Sequence, residues 1–295
     1  MTPEKEAFYR QDVLAQRERY QGRMRIFLGL ELEAQDTRIF PPGMYDYLIG
    51  SLHYIEEGGV AYPMDDSVET LGRCIREGFG GDAYRLVEAF FARSAMAICA
   101  RRPDIVGHFD LLARYNGQGR FFDEDSPRYQ GIAIEAVREA AKTGAIFEVN
   151  SGAMARGIPN RIYPARFLLR EIRRLGGQVV LSSDAHRAEH LTFAFPEMEA
   201  MLREEGFRTT VYLTLSTGGR NGRWEAKQTA QATGLHGAEP SGARLYAMCQ
   251  MAQSMKDSQI SEQADSVHAG FACFRKEDPG IAGGFPAYAV PSRGF

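Results

Sequence analysis

The sequence predicts an α/β fold in which a parallel sheet or barrel gathers its chemistry at one end of the strands. Three observations lead there. Short apolar runs recur along the chain, over 26–31, 47–53, 104–108, 145–150 and 178–181. Helix-like segments separate most of them, and strands alternating with helices imply parallel pairing. The runs end in, or lead into, side chains that bind metals or hydrogen-bond: Glu31, His53, His108, Asn150, and Asp184 with His186. In parallel α/β folds the C-terminal strand ends are where functional groups collect.

Residues 4–21 read as a charged amphipathic helix, with Phe8, Val13 and Leu14 as its buried stripe, Tyr9 and Tyr20 flanking it, and Gly22 ending it. The strand over 26–33 turns Leu28, Leu30 and Leu32 to one face and Glu31 and Glu33 to the other. A buried carboxylate pair is costly unless a cation compensates it. Glu31 reads as functional, and Glu33 as lying past the strand end in water. Pro41-Pro42-Gly43 marks a turn, and a second strand over 45–54 carries His53 near its end. Residues 55–66 read as a polar loop, Ser67 as the cap of a helix over 68–77, and 78–81 as a break. A strong amphipathic helix spans 83–99, its core positions including Leu86, Phe90, Phe91, Met96, Ala97, Ile98 and Cys99.

The third strand, over 104–111, sets His108 and Asp110 on one side by i, i+2 spacing, with Asp110 in a supporting role. Gly107 allows close backbone approach. A polar loop over 116–127, a helix over 129–142 and a strand over 145–150 lead to Asn150-Ser151-Gly152. Arg156 lies in the loop beyond. An arginine beside a strand end suits a phosphate, and a surface arginine is the alternative. A helix begins at Pro164 and runs to about Leu175, Gly176-Gly177 closes it, and the next strand delivers Ser182-Ser183-Asp184-Ala185-His186. On an extended strand Asp184 and His186 project together, as a shared metal ion requires. His190 reads as a helix-start residue. A helix over 196–205 and a strand over 209–215 complete the repeating pattern. Residues 1–217 form the predicted α/β domain. Residues 218–295, rich first in Gln, Ala and Ser and then in Gly and Pro, read as an appended low-order tail, with a few helical turns around 241–256.

Composition bounds the function. A hydrophobic content of 44%, a charged content of 25% and a net charge of −3 describe an ordinary globular chain with no polyanion-binding surface. No nucleic-acid partner is expected. No apolar run approaches the roughly 20 residues of a membrane span. The charged N-terminus lacks the apolar core of a secretory signal. The four cysteines have no paired spacing, which fits reduced thiols and a cytoplasmic location. No oligomeric state follows from the residues.

The strand-end motifs resemble the PHP (polymerase and histidinol phosphatase) family, in its monofunctional histidinol phosphatase branch. The matching stretches are Gly29-Leu30-Glu31, Gly50-Ser51-Leu52-His53, Gly107-His108-Phe109-Asp110-Leu111, Phe147-Glu148-Val149-Asn150-Ser151-Gly152 and Ser182-Ser183-Asp184-Ala185-His186, with Phe122-Asp123-Glu124-Asp125 and Pro127-Arg128-Tyr129 between them. The resemblance implies a distorted parallel β/α barrel with a centre of two or three divalent metal ions, zinc, manganese or iron. It implies metal ligation by Glu31, His53, His108, Asp184 and His186, with Asp184, His186 and the phosphate contact Arg156 in the catalytic set. The implied reaction is hydrolysis of L-histidinol phosphate to L-histidinol and phosphate, a step of histidine biosynthesis on a small phosphorylated substrate. The family opens with a strand carrying His-x-His and a second motif ending in Asp-His or Glu-His, and this sequence holds neither. It is therefore expected to be an N-terminally truncated barrel missing its first strands, less stable and less active than complete relatives. The alternatives are another phosphoesterase of the same type, or a non-catalytic metal-binding remnant.

Overall fold

The structure, a computed structural model, describes residues 2–215 and the strand positions 222–228, 246–248 and 273–275. Its centre is a five-stranded sheet in the order β1 (Gly29–Glu33), β2 (Tyr47–Ser51), β5 (Ile105–Val106), β6 (Ile146–Asn150) and β7 (Val179–Ser182), with every pairing parallel. Helices α3 (Ala83–Arg101), α4 (Pro127–Ala141) and α6 (Arg166–Arg174) supply the crossovers that parallel strands need. The alternation of strand and helix predicted from the sequence is present. The barrel is not closed: among the described residues the ladder ends at β1 on one side and β7 on the other.

The pleat divides the sheet into two faces. Val106, Phe147, Val149 and Val179 pack outward against Phe90, Phe91, Tyr129, Val137, Leu168 and Ile172 of the helical layer. On the other face Tyr47, Ile49, Ile105, Ile146 and Val180 form an apolar layer joined by Phe27, Val211 and Leu213. Two residues further along the same face, the side chains become Ser51, Glu148 and Ser182, and then Asn150. One face thus passes from an apolar floor to a polar rim at the C-terminal strand ends.

Several boundaries differ from the sequence reading, each for a local reason. The second strand stops at Ser51, and the stretch read as loop instead forms a hairpin of β3 (Tyr54–Glu57) and β4 (Val60–Pro63) across Gly58 and Gly59, both at positive φ. Ser67 caps α2 (Val68–Arg73) as expected, accepting from the Thr70 N–H at 3.1 Å. Met96 is 64% exposed and Cys99 also faces solvent, because the core stripe of α3 runs through Leu86, Val87, Phe90, Phe91, Ser94, Ala95 and Ile98. β8 (Thr209–Leu215) pairs antiparallel with β9 (Gly222–Gln228), so strand structure enters the stretch read as a tail. Residues 246–248 form a strand with 273–275 where helical turns were expected. Position 217 and the remainder of 218–295 lie outside the described residues.

The first helix, α1 (Pro3–Arg19), buries Glu6, Tyr9 and Val13, while Phe8 is 66% and Leu14 40% exposed. Its buried face is set by the segment leading into β1, with Ala185, rather than by a helical layer. Tyr9 and Val13 pack with Ile26 and Leu28, the Tyr9 hydroxyl donates to the Gly29 carbonyl at 2.6 Å, and Arg17 Nε donates to the Ile26 carbonyl at 2.7 Å. Side chains of α1 thereby satisfy one carbonyl of the edge strand and one of the segment leading into it. Tyr9→Phe removes one of these bonds and is expected to cost about 0.5–1.5 kcal/mol in urea unfolding, with no change in metal binding.

Candidate metal centre

Three strand ends bring Glu31, His53 and His108 together. Glu31 comes from β1, and its register against β2 runs Glu31 to Ile49 and Glu33 to Ser51. The Ser51 hydroxyl donates to Glu31 Oε1 at 2.6 Å. His53 follows the end of β2, and His108 follows the two-residue strand β5. The two Nε2 atoms stand 3.2 Å apart, and Glu31 Oε1 lies 3.5 Å from that of His53 and 3.3 Å from that of His108. The three side chains are 6% to 11% exposed. Among the described residues this trio is the group able to hold a metal ion.

The triangle has the dimensions of a coordination site. Nitrogen and oxygen ligands about 2.0–2.1 Å from a four-coordinate ion stand roughly 3.3–3.4 Å apart. Two imidazole nitrogens and a carboxylate oxygen suit zinc, manganese or iron. Glu31 Oε2 and His108 Nδ1 are buried without hydrogen-bond partners, as is Glu148 Oε1 nearby. Such atoms are costly to bury unless something binds them. The donor set therefore fits a divalent ion.

Without an ion, protons balance the charge. Burial pushes Glu31 upward, but the charge on His53, together with the His108 and Ser51 bonds, outweighs it and holds the carboxyl at about 2. Burial pushes His53 downward, but Glu31, the hydrogen bond and charge of Glu33, and Asp65 raise it to about 10. His108 is also raised, the Glu31 bond overcoming burial and the repulsion of His53.

The sequence reading assigns Glu148 no role, although its position between Ile146 and Asn150 on one face of an apolar strand marks it as a buried carboxylate. It is fully buried, and its Oε2 accepts from the His108 N–H at 2.8 Å and from Asn150 Nδ2 at 3.1 Å. Burial raises its carboxyl above the ordinary range. Glu33, read as solvated, instead accepts from His53.

Asp184 and His186 lie side by side as expected, with His186 Nδ1 3.8 Å from Asp184 Oδ1, but not on a strand. β7 ends at Ser182, so the i, i+2 rule of a strand does not apply to them. Asp184 takes a left-handed φ of 45°, and its N–H donates to Ser182 Oγ at 3.2 Å. Arg156 gathers the pair. Its Nη2 donates to Asp184 Oδ2 at 2.8 Å, and its Nη1 lies 3.1 Å from the Asp184 carbonyl and 3.2 Å from His186 Nδ1. Gly152 makes room for this, since a Cβ there would lie 2.7 Å from Arg156 and 2.8 Å from Asp184. Asp110 also parts from His108. It is buried, with Oδ2 accepting from the Ala165 N–H at 2.9 Å. His190 ends a 3₁₀ turn ahead of α7 (Phe195–Glu204).

No protein-family model and no curated protein sequence matches the chain. Solved structures do. One is a candidate histidinol phosphatase from Listeria monocytogenes, at 16% identity and a TM-score of 0.54, over 67% of this chain and 77% of that one. Another is histidinol phosphate phosphatase from Lactococcus lactis subsp. lactis, in complex with zinc, L-histidinol and phosphate. It matches at 19% identity and a TM-score of 0.50, over 70% of this chain and 76% of that one. At these identities the likeness is one of fold.

Two outcomes are expected from the centre. Glu31, ordinarily 4.5, adds stability above that pH that is lost as pH falls toward 2, and His53, ordinarily 6.5, adds stability below that pH that is lost as pH rises through about 10. Melting of metal-free protein should therefore decline between pH 6.5 and 10, and less so in His53→Ala, while zinc affinity rises over the same window because zinc displaces the His53 proton. Separately, a Cβ at Gly107 would lie 2.2 Å from Ser51 Oγ. Gly107→Ala should displace the Ser51 bond to Glu31, costing about 1–3 kcal/mol in unfolding and weakening zinc binding in a chelator competition.

Proposed function

We propose that the chain is a metal-dependent phosphatase acting on a small phosphate monoester, with L-histidinol phosphate as the substrate and L-histidinol and phosphate as products. The triangle of Glu31 Oε1 and the two imidazole Nε2 atoms, at 3.2 to 3.5 Å, carries this reading. Its support is twofold: the trio sits at the C-terminal ends of parallel strands, and a protein of the same fold was solved with zinc, L-histidinol and phosphate.

In this reading Glu31, His53 and His108 hold a divalent ion, and Asp184 and His186 supply further ligands. Such an ion, when bound, lowers the pKa of water and compensates charge on phosphoryl oxygens. The chain's own residues orient the ester and shield the reaction. Arg156, with a side chain 27% exposed beside Asp184, donates to the phosphate oxygens. His186, 42% exposed, stands 3.8 Å from Asp184 and keeps its ligand role; as a water oxygen bonds to phosphorus and the ester bond breaks, the leaving oxygen takes its proton from solvent water. Glu148 orients His108 through its backbone N–H. The rim stands on an apolar floor, which strengthens the interactions of the buried Glu31, His53 and His108.

A second reading has its own observation. Arg156 already engages Asp184 and His186, which leaves the trio as a separate cluster able to bind an ion without turnover. Phosphate release from histidinol phosphate with zinc or manganese separates the two. Turnover is expected in the wild-type chain, falling about 100-fold or more in His108→Ala and in Asp184→Ala. Zinc bound by Glu31, His53 and His108 with no phosphate released from folded protein would establish the binding reading instead.

A further inference from the structure

We propose that Glu33 is a positioning residue for the metal centre: it fixes the His53 ring so that Nδ1 carries the proton and Nε2 is the coordinating nitrogen. The inference rests on the reading of Glu31, His53 and His108 as metal ligands, and it adds to that reading which atom of His53 binds and what holds it there.

The geometry is specific. Glu31 and Glu33 share one face of β1, two residues apart. Glu33 pairs in register with Ser51, so its carboxylate reaches the chain just past β2, where His53 stands. His53 Nδ1 lies 2.9 Å from Glu33 Oε2. The His53 backbone N–H donates to the same carboxylate, at 3.0 Å to Oε1 and 3.2 Å to Oε2, and the Ala34 N–H donates to Oε1 at 3.2 Å. A carboxylate held by two backbone donors has a fixed rotamer and presents its remaining lone pair in one direction. An ionised carboxylate can only accept, so Nδ1 must donate. That leaves the Nε2 lone pair for the ion, on the side where Nε2 faces His108 and Glu31 at 3.2 and 3.5 Å.

His108 provides an internal contrast. Its Nδ1 is buried with no hydrogen-bond partner, so no side chain sets its tautomer. Glu148 fixes the backbone of His108 rather than its ring. Of the two imidazoles, His53 is the one whose ring is oriented by a carboxylate. Carboxylate partners of this kind raise the basicity of a metal-bound histidine and hold its plane, and their loss typically lowers metal affinity by about 10–100-fold.

The test uses the whole chain and zinc alone. Zinc affinity is measured by chelator competition in wild type, Glu33→Ala, Glu33→Gln and Glu31→Ala, each checked for folding by circular dichroism. Nitrogen NMR of zinc-loaded wild type identifies the coordinating atom of His53. The expected result is Nε2 coordination with an exchange-protected Nδ1–H, a 10–100-fold loss of affinity in Glu33→Ala, and a smaller loss in Glu33→Gln, whose amide oxygen still accepts. Wild-type affinity in folded Glu33→Ala would overturn the proposal while leaving the ligands intact. Nδ1 coordination of His53 in the wild-type protein would overturn it without reference to any variant. Unchanged affinity in Glu31→Ala would overturn the ligand assignment itself, and the role of Glu33 with it.

Discussion

Burial of the Glu31 carboxylate is the constraint on which the rest of this structure depends. A lone ionised carboxylate in an apolar setting is too costly to keep, so the fold must deliver cationic or protonated partners to it. It does so from the ends of two neighbouring strands, β2 and β5. Ser51 donates to one oxygen, while His53 and His108 approach the same oxygen from two sides. That convergence requires parallel strands in register, a short β5 that releases His108 early, and a glycine at position 107 that leaves room for Ser51. The apolar floor beneath removes competing water, which makes the interactions strong and the absence of a partner expensive.

Much of this was legible in the sequence, because the C-terminal ends of parallel strands announce themselves. Apolar runs ending in Glu31, His53 and His108 mark both the sheet and the cluster. What was not legible depended on where strands stop. The i, i+2 rule holds only while the chain stays extended. Asp184 and His186 do come side by side, at 3.8 Å, but through a bend after the end of β7 at Ser182 rather than along a strand, and Asp110, which follows β5, parts from His108. Glu33 looked solvated because periodicity says nothing about a histidine arriving from the next strand. Met96 and Cys99 looked buried because an amphipathic helix rich in small apolar residues does not specify its stripe to within one residue. The face of α1 was read only at Val13, with Phe8 and Leu14 misplaced, since it is chosen by the segment leading into β1 and not by a second helix.

The two polar clusters on the rim differ in chemistry. Around Glu31, two imidazoles share a single carboxylate oxygen, an arrangement that a small multivalent ion completes. Around Asp184, a guanidinium already provides the positive charge, with donors to the carboxylate and to the backbone carbonyl. Arginine is planar and permanently charged, so it can hold Asp184 and His186 in place and is also well suited to a phosphate. Glu148, buried with one free oxygen, feels the charges of both His108 and Asp184 and links the clusters electrostatically. The rim therefore carries one cluster able to hold a metal ion and one in which Arg156 balances Asp184; under the proposed function the same guanidinium meets the phosphate.

X-ray absorption of the zinc-loaded chain tests the central claim most directly. The account predicts a first shell of nitrogen and oxygen at about 2.0–2.1 Å, with the outer-shell scattering of two imidazole rings that falls to one in His108→Ala. A shell without imidazole scattering, or one left unchanged by that substitution, would contradict it.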